Sequence, residues 1–148
     1  MRRSGRAAVG RGTCGDAPVV LARPLTYMNL SGEAAAPLAR ALGLTPAEVL
    51  VVVDDMDLPL GRIRIRKEGG AGGHNGLRSL IRYLGTQEFP RVRIGVGRPA
   101  ESGVDHVLGA FSREELEPVR EAVERAADAV ELVLTEGIET AMNRVNAG

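Results

Sequence analysis

Two short segments concentrate the residues able to do chemistry: LTYMNLSG at 25–32 and GGAGGHNG at 69–76. Each sets an asparagine, Asn29 or Asn75, in a loop-like context. A carboxamide donates and accepts at once, which suits a carbonyl, a ribose or a base better than a bare phosphate. Between them lies VVVDDMDLP at 51–59, placing Asp54 where an apolar run ends. Open α/β sheets bind ligands at the carboxyl ends of their strands. A carboxylate there can hold an imidazole in one tautomer, or accept from a hydroxyl or water. Plainer roles stand beside these: Asn29 and Asn75 as helix caps near Ser31 and Gly76, Asp54 as a capping or turn carboxylate. Asp57 fits the Asp-Leu-Pro turn signature.

His74 sits between the glycine loop and Asn75, and the only other histidine is His106. His74 is the better candidate base on sequence grounds. The GGAGG run permits backbone conformations closed to other residues. It lacks the Lys-Ser/Thr of a P-loop and the spacing of a dinucleotide fingerprint. There is no GxSxG elbow and no HExxH motif. Asp54, Asp55 and Asp57 have no further carboxylate cluster to complete a metal site, so no metal is expected. Cys14 is the single cysteine, which leaves neither an intrachain disulfide nor a thiolate metal site. Arg62, Arg64 and Arg66 alternate along one stretch, with Arg91 and Arg93 on a neighbouring candidate strand. They form either a phosphate-binding patch or a solvated sheet face.

The elements that must position these groups follow from periodicity. Residues 1–17 are rich in Arg and Gly and read as loose, 1–12 above all. PVVLA at 18–22 reads as a strand. Ser31 is the expected cap of a helix running to Leu42, with Gly43 as its stop. Thr45-Pro46-Ala47-Glu48 begins a turn with Pro at the first helical position. VLVVV at 49–53 suits a strand covered on both faces. RIRIR at 62–66 alternates as a half-exposed strand, and the Pro59–Gly61 turn before it suggests one hairpin. GLRSLIRYLG at 76–85 is an amphipathic helix, and VRIGVG at 92–97 a further strand. After a polar loop at 98–111, Ser112 and Glu115 form a capping box for a helix to about Leu134. Its apolar positions include Leu116, Val119, Val123, Ala126, Ala127, Val130 and Val133. Gly137 breaks it, and a last helix carries Ile138, Met142 and Val145. The order implies α/β architecture: three layers, a mixed and mostly parallel sheet, helices on both faces.

At 148 residues the chain reads as a single domain over 1–148. Formal net charge is +0, against a strongly basic nucleic-acid binder overall. Tyr27, Tyr83, Phe89 and Phe111 are the only aromatics, too few for a single-strand stacking platform. No run of 18 apolar residues exists to span a membrane. The basic start lacks the apolar stretch of a secretory signal. An intracellular location is expected.

PLTYMNLSG, VVVDDMDLPLGRIRIRKEGGAGGHNGLRSLI, FPRVRIGVGRP and VLGAF, in this order, closely resemble the bacterial-type peptidyl-tRNA hydrolase family. The similarity extends from about residue 10 to the end. The resemblance implies a cytoplasmic, monomeric α/β enzyme that needs no cofactor or metal. Such an enzyme cleaves the ester between tRNA and a peptide or N-blocked amino acid. It implies that Tyr27 and Asn29 contact peptidyl-tRNA near its 3′ end. Asn75 would bind substrate and place water or stabilise the oxyanion, and Asp54 would hold the catalytic imidazole. Met28 would line the cleft, His74 would support it from behind, and Arg64, Arg66 and Arg93 would face tRNA phosphates. Val53 stands where the family has His or Tyr. The family's GLGNPG-like and TRHN-like segments, the second bearing its general base, have no match here. The sequence therefore reads as N-terminally truncated relative to the family. The alternative is a catalytically inactive tRNA- or RNA-binding homologue.

Overall fold

The computed structural model describes residues 1–98 and 113–147. They divide into two compact units, one of residues 1–51 and 67–90, the other of 52–66 and 91–148.

The first unit begins with β1 (Arg2–Ser4), β2 (Ala7–Cys14) and β3 (Ala17–Pro24), an antiparallel sheet in the order β1-β2-β3. Ser4 pairs with Ala7 and Cys14 with Ala17, leaving two-residue connections at each reversal. Gly5 and Gly15 open these turns, each with φ +59. Glycine at the first central position is the mark of a hairpin turn whose twist matches its strands. The looseness expected for 1–12 is thereby corrected. Arg and Gly composition suggested a solvated tail, but the glycines sit where tight turns need them, and Ala7 and Ala8 are buried.

A 3-10 turn, Met28–Leu30, leads into α1 (Ser31–Ala41), and α2 (Asn75–Leu84) packs against both. A second 3-10 turn, Pro46–Glu48, carries the capping box of Thr45 with Glu48. Ala34, Ala36, Ala39, Leu77, Leu80 and Phe89 are buried in this unit. Small residues on α1 allow its close approach to α2.

The second sheet has the order β4-β6-β5, with β4 Val51–Asp55, β5 Ile63–Arg66 and β6 Arg91–Gly95. β5 and β6 are antiparallel, pairing Arg64 with Arg93 and Arg66 with Arg91. Val51 N–H donates to the Pro90 carbonyl and Val96 N–H to the Asp55 carbonyl, so β4 runs parallel to β6. The α/β class expected from the sequence is present. The strand directions differ in part from a mostly parallel sheet: β1–β3 are antiparallel because two-residue turns permit only antiparallel neighbours, and β5 is antiparallel to β6. β6 lies between β4 and β5, so the expected β4–β5 hairpin does not form.

β4 is an outer strand of its sheet, and Val52 is 49% exposed, where the sequence suggested cover on both faces. On β5, Ile63 and Ile65 are buried while Arg62 and Arg66 are exposed, as strict alternation requires. Two helices pack on this sheet: α3 (Arg113–Glu136) on β5 and β6, α4 (Ile138–Val145) on β5. The buried stripe of α3 is Ala122, Ala126 and Ala129, while Val123 is 54% and Leu116 51% exposed. The valine spacing does not mark the buried stripe; alanines let the helix lie closer to the strands. Ser112 of the expected capping box, the polar loop and His106 lie outside the described residues.

Candidate functional site

In the first unit the candidate residues gather where the 3-10 turn meets the start of α2. Tyr27 is extended (φ −63, ψ 156) and its carbonyl accepts from Leu30 N–H at 2.9 Å. The turn presents Tyr27, 83% exposed, and Met28, 57% exposed, with Asn29 exposed beside them. Ser31 does not cap α1 with its side chain; the cap position falls on Leu30. Instead Ser31 Oγ donates to the Met28 carbonyl at 2.7 Å and lies 3.8 Å from Met28 Sδ. The hydroxyl is thus spent on closing the turn, which holds Asn29 in place.

The glycine loop delivers the second asparagine. Gly72 and Gly73 take φ +57 and +87, a left-handed pair that only glycine adopts freely. This reverses the chain so that His74 N–H reaches the Ala71 carbonyl at 3.0 Å. His74 then caps α2: its Nδ1 accepts from Leu77 N–H at 3.1 Å. The cap expected of Asn75 belongs to His74. Asn75 is the first helical residue, exposed, its Oδ1 accepting from Arg78 Nη1 at 3.4 Å. With Nδ1 used as an acceptor, the neutral His74 ring carries its proton on Nε2. The ring is a donor toward its surroundings in this state, a poor arrangement for a base.

Two further residues of this unit escaped the sequence reading. Ser79 is 6% exposed, and its Oγ accepts from the buried N–H of Gly32 at 2.8 Å. A Cβ on Gly32 would lie well inside contact distance of the Ser79 carbonyl and 2.8 Å from Tyr83 Cδ2. Only glycine lets α1 and α2 meet here. The signal was a serine within the apolar stripe of Leu77 and Leu80, a polar side chain that must find a partner when buried. Tyr83 donates to Glu33 Oε1 at 2.9 Å, and this bond, with Glu33's charge, raises the phenol above its ordinary value.

The second unit carries the charged candidates. Asp54 is exposed, next to the end of β4. Asp55 is ion-paired to Arg93 and Asp57 to Arg98, so these two acids turn to separate cations. Arg93, Arg64, Arg66 and Arg91 share one face of the β5–β6 ladder by register. Arg91 is 1% exposed; burial first, then the charges of Arg93 and Arg66, pull its guanidinium below the ordinary arginine value. Arg66 is open to solvent and Arg64 half-buried, while Arg91 is withdrawn from any surface patch. Asn146, which the sequence reading also passed over, finishes the β5 edge. Its Oδ1 accepts from Ile65 N–H and its Nδ2 donates to the Ile65 carbonyl, both at 2.8 Å.

Exposed carboxamides on the 3-10 turn and at the start of α2, and an arginine-bearing sheet face in the other unit, belong to an α/β protein. Comparison with known proteins narrows this. The peptidyl-tRNA hydrolase family model matches residues 1–148. The peptidyl-tRNA hydrolase of Desulforamulus reducens is 48% identical over 141 residues, covering 95% of this chain and 68% of the relative. That of Symbiobacterium thermophilum is 54% identical over 130 residues, covering 86% and 69%. The crystal structure of peptidyl-tRNA hydrolase from Acinetobacter baumannii matches with a TM-score of 0.87 at 35% identity, covering 96% of this chain and 73% of that one. The chain belongs to the peptidyl-tRNA hydrolase family.

Proposed function

We propose that residues 1–148 act as one hydrolase domain on peptidyl-tRNA. The reaction is hydrolysis of the ester joining a peptide or N-blocked amino acid to the 3′ end of tRNA. The observation that carries this reading is the pairing of an ordered YMN turn with the Asn75-bearing start of α2 in one packed unit. Asn29 and Tyr27 bind the 3′-terminal region, and Met28 lines that contact. Asn75 binds the ester and donates to the oxygen that becomes negative as water attacks. Asp54 is the carboxylate suited to orienting a general-base imidazole, a role not assigned to His74, the cap of α2. Arg64 and Arg66, with Arg93 behind its pairing to Asp55, attract tRNA phosphates. His74 supports the site as a cap. The enzyme works in the cytoplasm as a monomer, without metal or cofactor. Among the described residues no helix is long and apolar enough to cross a membrane.

The test is cleavage of N-acetyl-aminoacyl-tRNA together with binding to the same substrate. Binding should be salt-dependent and should fall with Asn29→Ala. Hydrolysis by these 148 residues should be slow, because His74, the only described histidine, has Nδ1 occupied. Whatever rate is seen should drop about 100-fold or more in Asn75→Ala. Rapid turnover abolished by His74→Ala would overturn the assignment of His74 as a cap. Binding without any cleavage would favour an RNA-binding homologue, and no tRNA affinity at low salt would remove both.

A further inference from the structure

We propose that Gly76 is a positioning residue. The space left by its missing side chain is the seat that holds Met28, and through Met28 it sets where the 27–29 turn presents Asn29. Gly76 is buried at the second position of α2. A Cβ built there would fall 2.7 Å from Met28 Sδ, 2.9 Å from His74 Cε1 and 3.2 Å from His74 Nδ1. Two side chains the reaction depends on therefore converge on one absent methyl group. Ser31 Oγ donates to the Met28 carbonyl at 2.7 Å and lies 3.8 Å from its Sδ. Met28, 57% exposed, thus touches α1 through its carbonyl and lays its sulfur against α2. Asn29 follows directly, and Asn75 directly precedes Gly76. One packing contact consequently ties the two carboxamides together.

The atoms that crowd Gly76 differ in kind from those at Gly32. At Gly32 the obstacle is the backbone of Ser79, whereas at Gly76 it is a thioether and an imidazole edge. Side chains swing away at modest cost, while backbone does not. Gly76→Ala should therefore leave the fold intact while displacing Met28 and disturbing the His74 cap. The inference rests on the proposed reading of Asn29 and Asn75 as groups that recognise the acylated 3′ end.

The experiment compares two ligands: tRNA carrying an N-acetyl-aminoacyl group through a hydrolysis-resistant 3′-amide, and deacylated tRNA. Gly76→Ala should reduce the preference for the acylated ligand about tenfold, with a smaller loss of affinity for deacylated tRNA. The loss should shrink when the same change is made in a Met28→Ala background, where the seat is empty. A methyl-labelled Met28 resonance should also shift in Gly76→Ala with the thermal midpoint changed by no more than about 4 °C. Undiminished preference, or an equal loss in both backgrounds, would overturn the seat. If the unmodified chain shows no preference for acylated tRNA, the functional reading beneath fails instead. The Met28 resonance then decides the seat by itself, and an unmoved signal sinks it.

Discussion

The junction of the 3-10 turn with α2 and the face of the β5–β6 ladder are built in opposite ways. The first is built from neutral groups held by short, directional bonds: Ser31 on the Met28 carbonyl, Ser79 on Gly32 N–H, His74 on Leu77 N–H. The second is built from guanidiniums placed by strand register, with Arg93 also ion-paired to Asp55. Directional bonds fix a carboxamide to a fraction of an ångström, which an ester carbonyl demands. A phosphate backbone tolerates several cation positions, because Coulomb attraction falls slowly with distance. Precision and tolerance should therefore respond differently to substitution.

The sharpest break should come from Gly32→Ala. Its new Cβ meets the Ser79 backbone, and overpacking of this kind costs about 3 kcal/mol. Denaturant unfolding should show this loss; an unchanged midpoint would mean that α1 and α2 are not locked together. Ser79→Ala comes next. It strands the buried Gly32 N–H, for a loss of about 1–3 kcal/mol, and Ser79→Thr should recover part of it if the added methyl is accommodated. The arginine face should behave gently by contrast. Arg64→Ala and Arg66→Ala should each weaken tRNA binding across sequences and lower the salt slope by about 1, without a stability loss. A steep stability loss there would erase the distinction between the two regions.

The smallest effect concerns pH. The Tyr83 phenol is raised above its ordinary value of 10.0 by its bond to Glu33. A group raised on folding contributes stability below its unfolded value, and that contribution is lost as pH rises through the folded one. The thermal midpoint should decline above pH 10.0 more steeply in the unsubstituted chain than in Tyr83→Phe. Equal slopes would show that the Glu33 bond does not persist in solution.

Much of this was legible in the chain itself. The α2 helix, the turn beginning at Thr45 and the Gly137 break were readable because each depends on residues close in sequence. Ile63 and Ile65 inward with arginines outward followed from alternation. Three features were not legible. The glycines at 5 and 15 looked like tail composition, since a hairpin declares itself only when its second strand pairs. The alanine stripe of α3 was hidden by neighbouring valines, because which stripe is buried depends on how closely the sheet approaches. The cap at His74 was assigned to Asn75, since Gly72 and Gly73 decide where the helix begins.

The sequence by itself determined the family, the identity of the amides, the carboxylate and the arginines, and the local elements bearing them. Those properties reside in side-chain chemistry and short-range periodicity. Tertiary structure decided the rest: that Ser31 closes the turn instead of capping α1, that Ser79 and Gly32 join two helices, that Asp55 takes Arg93, and that Gly76 leaves room for Met28. Each of these brings together groups from separate elements or depends on how those elements pack. No local pattern records which backbone atom or thioether will fill the space a glycine leaves.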